Sequence, residues 1–176
     1  MRIILISGMA RHGKDQTAEF ACNYLKQCGK RVLLTHFADF LKDFCKKNYG
    51  YRGVKDARDR EILQRVGTDI IRKNNPDAWV KMMVELLRGI KTEFDYVLIP
   101  DTRFENEINY LKSSFKNEDV ITIRVIRENF DNGLTDEQKA HPSESSLMNY
   151  KFDFVIKNNG TLNDLNDTIK AIIDKL

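Results

Sequence analysis

The sequence predicts a three-layer α/β fold, in which helices cover both faces of a parallel β-sheet. Short apolar runs alternate with longer amphipathic segments along the 176 residues, the order expected of strands joined by crossover helices. The apolar runs are rich in Val and Ile, as in strands that are buried on both faces of a sheet. No repeat or linker-like stretch divides the chain, so residues 1–176 are expected to form one domain.

Five segments have the length and composition of buried strands. The first lies in MRIILISG, where five residues separate the arginine from the first glycine. The predicted strands are residues 3–7, 31–36, 96–100, 120–126 and 152–156.

Six further segments show helical periodicity. The first ends before Gly29, and the fourth follows NNP, where Pro76 suits a first-turn position. The predicted helices are residues 14–27, 38–48, 57–73, 77–90, 105–114 and 162–176.

One polar segment, RENFDNGLTDEQKAHPSESSLMN at residues 127–149, interrupts the alternation before the last strand. A surface loop would explain its composition. Its length favours an active-site lid, because long loops in compact domains are usually functional or disordered.

Composition and charge argue against several classes of protein. The formal charge is +3 and the basic residues are spread along the chain, whereas nucleic-acid binders usually carry a basic stripe or tail. No apolar stretch is long enough to cross a membrane. Cys22, Cys28 and Cys45 show no metal-site spacing and are expected to be reduced in a cytoplasmic protein. A homodimer is left open.

A phosphate-binding loop is predicted in SGMARHGKDQT, where Gly8, Gly13 and Lys14 match the pattern G-x-x-x-x-G-K. The pattern follows a predicted strand and begins a predicted helix, which is the context that a P-loop requires. Backbone N–H groups of such a loop bind phosphate oxygens, and the lysine adds a positive charge. The sequence therefore predicts the P-loop NTPase fold.

Asp15 stands where the common P-loop has a Ser or Thr hydroxyl that holds magnesium. A carboxylate is also a hard oxygen ligand and can hold Mg²⁺ directly or through water. Its charge would oppose a bound phosphate unless the metal lies between them. Asp15 is thus predicted to be a metal ligand, and Thr17 is the weaker candidate.

A second cluster of polar residues follows the predicted strand at residues 96–100, in YVLIPDTRFENE. Asp101 is placed as a second carboxylate near the metal, and the planar guanidinium of Arg103 suits a phosphate. The alternative is that Asp101 or Thr102 caps a helix.

Trp79 and a group of three helical residues can each be interpreted in two ways. Trp79 on an apolar helix face is either part of the core or a platform on which a base stacks. Arg65, Asp69 and Arg72 share one face of an α-helix, either as a phosphate clamp or as a solvated ion-pair face.

The chain resembles phage-type deoxynucleoside monophosphate kinases over most of its length. The blocks SGMARHGKD, QRVGTDIIRKNNPDAWVKMM, DYVLIPDTRFENE and HPSES…FDFVIKNNGTL occur in the same order, and G-K-D is that family's form of the phosphate loop. Animal-type phosphomevalonate kinases are similar in the same blocks. The stretch NYGYRGVKDAR is short where some relatives carry an insert, and Arg65 lacks a counterpart in some of them, which leaves the acceptor's identity open.

This resemblance implies transfer of phosphate from ATP, with Mg²⁺, to a (deoxy)nucleoside monophosphate. One alternative is another phosphorylated acceptor such as phosphomevalonate. The other is a nucleotide-binding switch or hydrolase, for which Glu144 is the one candidate to orient water. The expected ATP-side residues are Gly8, Arg11, Gly13, Lys14, Asp15, Gln16 and Arg127. The expected acceptor-side residues are Arg65, Gly67, Thr68, Asp69, Trp79, Arg103 and Glu144. The expected catalytic residues are Lys14, Asp15, Asp101 and Arg103, with Asp15 and Asp101 on the metal.

Overall fold

The structure, a computed structural model, describes residues 1–54, 56–116 and 119–176, so Lys55 of NYGYRGVKDAR lies outside the described residues. Its strands are β1 Arg2–Ser7, β2 Val32–Leu34, β3 Tyr96–Ile99, β4 Val120–Ile126 and β5 Phe154–Lys157. They form one parallel sheet in the order β2-β3-β1-β4-β5. The predicted α/β fold class is confirmed.

The helices lie between and after the strands as expected. They are α1 Lys14–Gln27, α2 Ala38–Asn48, α3 Ala57–Gln64, α4 Ala78–Ile90, α5 Glu105–Ser114, α6 Asp136–Ala140, α7 Pro142–Ser145 and α8 Leu162–Ile173. A π-helical segment, Arg65–Arg72, connects α3 towards α4. Among the described residues, no helix combines the length and the apolar character that crossing a membrane requires.

The central strand, β1, positions the phosphate-loop sequence. It pairs with β3 on one side and with β4 on the other, with Leu5 opposite Ile99 and Ser7 opposite Arg124. Since the strands are parallel, their carboxyl ends meet at one edge of the sheet. Ligands of open α/β sheets bind at this edge.

Two apolar layers cover the sheet. On one face, α1 and α8 pack on Ile4 and Ile6, and on the other α4 and α5 pack on Ile3 and Leu5. The four isoleucine and leucine side chains of β1 are buried. The helix residues of these layers include Ala18, Leu25, Ile169, Met83, Leu87 and Ile108.

The predicted helix at residues 57–73 is wrong in one respect, because its second half is a π-helix. Trp79 Nε1 donates a hydrogen bond to the carbonyl oxygen of Gly67 at 3.2 Å. Leu41 of α2 packs directly on Gly67, which has no side chain to hold them apart. These two contacts draw the turn towards α2 and α4, and the wider π turn accommodates them.

The last strand begins two residues later than predicted. Phe152 packs edge-on against Tyr150, with ring centroids 5.0 Å apart. The Asp153 carboxylate accepts from the Thr122 backbone N–H at 2.8 Å and from its hydroxyl at 2.7 Å. A side chain therefore takes the position at Thr122 that a strand carbonyl would occupy, and regular pairing of β5 starts at Phe154.

The segment predicted as a lid, residues 127–149, carries the short helices α6 and α7. Leu134 and Leu147 are buried, and Leu147 belongs to the core beneath the sheet. The segment is therefore packed on the domain at two apolar points. Its role as a lid stays a prediction.

The indole hydrogen bond of Trp79 is expected to stabilise the π-helical segment. Trp79→Phe should lower the free energy of unfolding by about 1–3 kcal/mol, because it removes the indole hydrogen bond to the Gly67 carbonyl and places a smaller ring at a buried position. Chemical denaturation measures the change, and Tyr49→Phe at an exposed aromatic position is the control. An unchanged unfolding midpoint for Trp79→Phe would contradict this role.

Candidate active site

The loop between β1 and α1 has the backbone geometry that the phosphate-loop pattern predicts. Gly13 has φ +96°, in the left-handed region that favours glycine. A Cβ on Gly8 would lie 2.7 Å from the Val125 carbonyl oxygen, so the loop passes directly over β4. The loop brings Lys14, the first residue of α1, to the edge of the sheet.

His12 anchors this loop to the end of the sheet. Its Nδ1 accepts from the Arg127 backbone N–H at 3.1 Å, and its carbonyl accepts from Asn158 Nδ2 at 3.0 Å. Burial, followed by the charges of Arg124 and Lys14, lowers the pKa of His12. The imidazole is therefore held neutral as an acceptor, and His12 positions the loop.

Lys14 is the principal unpaired cation of the site. Its side chain is largely buried and lines a cleft, and it makes no ion pair or side-chain hydrogen bond with any residue in the described part of the chain. Burial and then the charge of Arg103 lower the pKa of Lys14. A buried ammonium group without a partner is costly, so this geometry indicates an anionic ligand.

Asp15 lies beside Lys14, is exposed and lines the same cleft. The Thr17 hydroxyl donates to the Gly13 carbonyl at 2.9 Å and is buried, so it is already occupied. Gln16 bonds to Glu19 at 3.3 Å instead. Of the two candidates for the magnesium position, only Asp15 faces the cleft.

Asp101 lines the cleft and also caps a helix. Its two carboxylate oxygens accept from the backbone N–H groups of Phe37 and Ala38, both at 2.9 Å. The capped helix is α2, not the α5 that follows it in sequence. Among the described residues, no group of three or more acidic, His or Cys side chains is arranged around a metal position. The chain fits a magnesium ion that takes most of its ligands from phosphate and water.

Arg103 and Glu144 join three parts of the site. Arg103 Nη1 donates to Glu144 Oε1 at 2.7 Å and to the Ser143 carbonyl at 3.1 Å. Glu144 Oε2 accepts from the Ala10 backbone N–H of the phosphate loop at 3.1 Å. The buried carboxylate thus fixes α7 against both the loop and the end of β3.

Glu107 is a functional residue that the sequence did not single out. Its carboxylate accepts from the backbone N–H groups of Arg103 at 2.7 Å and Phe104 at 3.0 Å, and it pairs with Arg72. Complete burial raises its pKa, while Arg72 and the two N–H groups act in the opposite direction. Glu107 makes the acidic half of a capping box, but Phe104 at the N-cap has no polar side chain, so the sequence lacked the pattern that would have identified it.

Three cationic side chains lie close together at this end of the cleft. Arg124 donates to the Ser7 hydroxyl at 2.9 Å, and burial followed by the charge of Arg103 lowers its pKa. Arg103 thus lowers the pKa of both Lys14 and Arg124, and within the described part of the chain it is the one member of the three that is in an ion pair, with Glu144. Such a cluster favours a ligand with several negative charges.

One cleft of about 570 Å³ connects the loop to an apolar far half. Its polar near end is formed by Arg11, Lys14, Asp15, Asp101, Arg103 and Glu144. Its apolar walls are Phe37, Leu41, Tyr51, Val54, Leu63 and Trp79. Trp79 belongs to a buried cluster and also lines the cleft, while its role as a platform for a base stays a prediction.

The structure brings some predicted acceptor residues together and leaves others outside. Gly67 and Thr68 line the cleft with Trp79. Arg65 is exposed and lies outside the lining, as does Asp69, whose side chain is 61% exposed, with an oxygen 3.9 Å from His141 Nε2. Arg65, Asp69 and Arg72 were predicted to share one face because an α-helix has 3.6 residues per turn. The π-helix has more residues per turn, so this spacing no longer applies.

Of the residues expected on the ATP side, some line the cleft and others do not. Gly8, Gly13, Gln16 and Arg127 shape or flank the loop without lining the cleft. The Arg127 guanidinium lies over the Phe130 ring at 4.2 Å. Arg11 has φ +63° and its guanidinium lies against Gly133 of the predicted lid.

A parallel sheet with a phosphate loop after its central strand defines the P-loop NTPase fold. A solved structure of the APS kinase CysC of Mycobacterium tuberculosis, in complex with AMPPNP and APS, has the same fold. It superposes with a TM-score of 0.53 at 12% identity, covering 98% of this chain and 95% of that one. The chain belongs to the deoxynucleotide monophosphate kinase family, whose family model matches residues 53–169.

Curated relatives agree with the predicted resemblance. The deoxynucleotide monophosphate kinase of Enterobacteria phage T4 is 32% identical over 120 residues, 66% of this chain and 46% of the phage protein. A putative deoxynucleotide monophosphate kinase of Acanthamoeba polyphaga mimivirus is 27% identical, covering 99% of this chain and 97% of that protein. The phosphomevalonate kinase of Drosophila melanogaster is 24% identical, covering 100% of this chain and 97% of that protein. The match spans less than half the length of the T4 relative.

The buried carboxylate of Glu107 is expected to be essential for the stability of this site. Glu107→Ala should lower the free energy of unfolding by about 3–5 kcal/mol, because it leaves Arg72 and two backbone N–H groups buried without their acceptor. Denaturant unfolding measures the loss, with Glu105→Ala on the exposed side of the same helix as the control. Equal stability of the two variants would refute this assignment.

Proposed function

We propose that the chain transfers the γ-phosphoryl group of ATP to the phosphate of a (deoxy)nucleoside monophosphate. The observation that carries this proposal is one continuous cleft, lined by Lys14, which has no partner among the described residues, by Arg103, and by the apolar side chains around Trp79. Family membership supports the same reaction. Because the chain matches only part of the T4 relative, the activity is inferred from the site.

The chemistry requires alignment and charge shielding more than proton transfer. A monophosphate is largely dianionic at neutral pH, since its second pKa is about 6, so its oxygen needs no strong general base. That oxygen forms a new bond to the γ-phosphorus, the bond from this phosphorus to the β–γ bridging oxygen breaks, and ADP leaves. The protein must hold the two phosphates in line and screen their repulsion.

The described residues divide these tasks between two sides. Lys14 and the N-terminus of α1 would hold the ATP phosphates, and Asp15 would hold Mg²⁺, which supplies further charge on these phosphates when bound. Arg103 would bind the acceptor phosphate, because it lines the cleft and its guanidinium is held by Glu144, which also bonds to the phosphate loop.

The far half of the cleft fits the nucleoside part of the acceptor. A base has two flat apolar faces, which match the walls formed by Tyr51, Leu63 and Trp79. A cleft of about 570 Å³ lies within the usual range for small-molecule sites.

A second candidate acceptor is phosphomevalonate, favoured by the Drosophila relative that aligns over the full chain. Phosphomevalonate would place a carboxylate near the far end, which is lined by Arg60 and by Asp56 and Asp59, both paired with Arg52. The aromatic walls, which suit the flat faces of a base, support the nucleotide over this acceptor.

The contacts of Glu144 argue against the hydrolase alternative. Orienting an attacking water requires a free Gln or Glu side chain. Glu144 uses one oxygen for the Ala10 N–H and the other for Arg103. Its engagement supports a transferase over a hydrolase.

The test is an ADP-release assay with ATP and Mg²⁺, in which the acceptor is varied. We expect turnover with at least one nucleoside monophosphate, and little with phosphomevalonate or without an acceptor. Lys14→Ala should lower kcat by at least about a hundredfold, since it removes a preorganised charge from the site. If no monophosphate stimulates ADP release, or if Lys14→Ala keeps normal turnover, the proposal fails.

Asp15 generates a separate prediction about the metal. Asp15→Asn should weaken the apparent Mg²⁺ affinity more than the ATP affinity, whereas Asp15→Ser should keep part of the activity because a hydroxyl can also ligate Mg²⁺. Magnesium titrations of kcat/KM at fixed ATP measure both. Identical titrations for wild type and Asp15→Asn would limit Asp15 to a role at the start of α1.

A further inference from the structure

One wall of the cleft is a row of residues spaced four apart. Arg60, Gln64, Thr68 and Arg72 all line the cleft, beginning in α3 and ending in the π-helical segment. Helical residues four apart are neighbours on the surface. The four side chains therefore form one stripe, which is about three turns long.

Three members of the row are free to bind a ligand. The other charged side chains of the far half are already bonded within the protein; for example, Asp59 accepts from the Val54 N–H at 2.8 Å. The side chains of Arg60, Gln64 and Thr68 make no hydrogen bond or ion pair with the residues that the structure describes. They are half-buried groups in a cleft, and such polar groups fix the orientation of ligands in otherwise apolar pockets.

The row has a phosphate end and an opposite end. Arg72 pairs with Glu107, whose carboxylate also holds the Arg103 backbone N–H. Arg72 therefore lies at the end where Arg103 would bind the acceptor phosphate. Gln64 and Arg60 are two and three steps of four residues further along, in the direction that the nucleoside must extend.

We infer that Gln64 and Arg60 bind the edge of the acceptor's base and determine which bases are accepted. This inference rests on the proposed function. The glutamine amide offers a donor and an acceptor, and the guanidinium offers several donors in a fixed plane. Together they match the ring nitrogens and exocyclic groups of a base whose faces lie between the apolar walls. A wrong base leaves these groups unpaired, and unpaired polar groups discriminate strongly between substrates.

The experiment compares kcat/KM for the four common deoxynucleoside monophosphates and for deoxyribose 5-phosphate, which has no base. Gln64→Leu and Arg60→Met should each lower kcat/KM for the best monophosphate about tenfold, the effect of losing a hydrogen bond to a bound ligand. Both variants should reduce the differences in kcat/KM among the four monophosphates. The KM for ATP and the turnover of deoxyribose 5-phosphate should stay within about twofold of the wild-type values. Arg58→Met, at an exposed position of the same helix outside the cleft lining, is the matched control.

The outcomes separate this inference from the proposed function. An unchanged ranking of the bases in both variants overturns the inference and leaves the kinase proposal intact. An equal loss on deoxyribose 5-phosphate also overturns it, because the residues would then act on the whole site. Thermal unfolding of each variant identifies a general loss of structure. If wild type phosphorylates none of the monophosphates, the proposed function fails, and this inference with it.

Discussion

The carboxylate of Glu144 is the contact on which the arrangement of the site depends. It bonds to the phosphate loop through the Ala10 N–H and to the end of β3 through Arg103. Three segments that are remote in sequence therefore meet at one buried group. Glu107 holds the backbone of Arg103 from the other side, so this arginine is fixed at both ends. A guanidinium held in this way loses little freedom when it binds a phosphate.

The close approach of Lys14, Arg103 and Arg124 determines the electrostatics of the phosphate end of the cleft. Lys14 and Arg124 both have their pKa values lowered, first by burial and then by Arg103. Bringing phosphates into the cleft would relieve this repulsion and add partners for Lys14. Binding energy at this end of the cleft would thus come from electrostatic complementarity, and binding energy at the far end from apolar contact. The two ends would recognise different parts of one substrate.

Local patterns account for what the sequence predicted correctly. The phosphate loop and α1 follow from adjacent residues, since Gly13 and Lys14 act through their own backbone and side chain. The partners of Glu107 and the position of Asp101 could not be read in this way. Asp101 caps α2, which precedes it by more than sixty residues, and such a contact exists only after the sheet has formed. Arg65 and Asp69 lie outside the lining of the cleft, and the sequence pattern did not show that their segment winds as a π-helix instead of an α-helix.

The π-helical segment also determines the direction in which the row of residues spaced by four faces. Four residues turn an α-helix slightly past a full circle, because a turn takes 3.6 residues. Four residues of the wider π-helix fall short of a full circle. The two drifts oppose each other along Arg60–Arg72, so a row spaced by four keeps facing the cleft instead of spiralling away. If the eight residues Arg65–Arg72 were wound as an α-helix, everything before them would be rotated relative to α4, because each π-helical residue turns the chain by less than the α-helical step of about 100°. The wide turn thus sets the register between the wall of the pocket and the core beneath it.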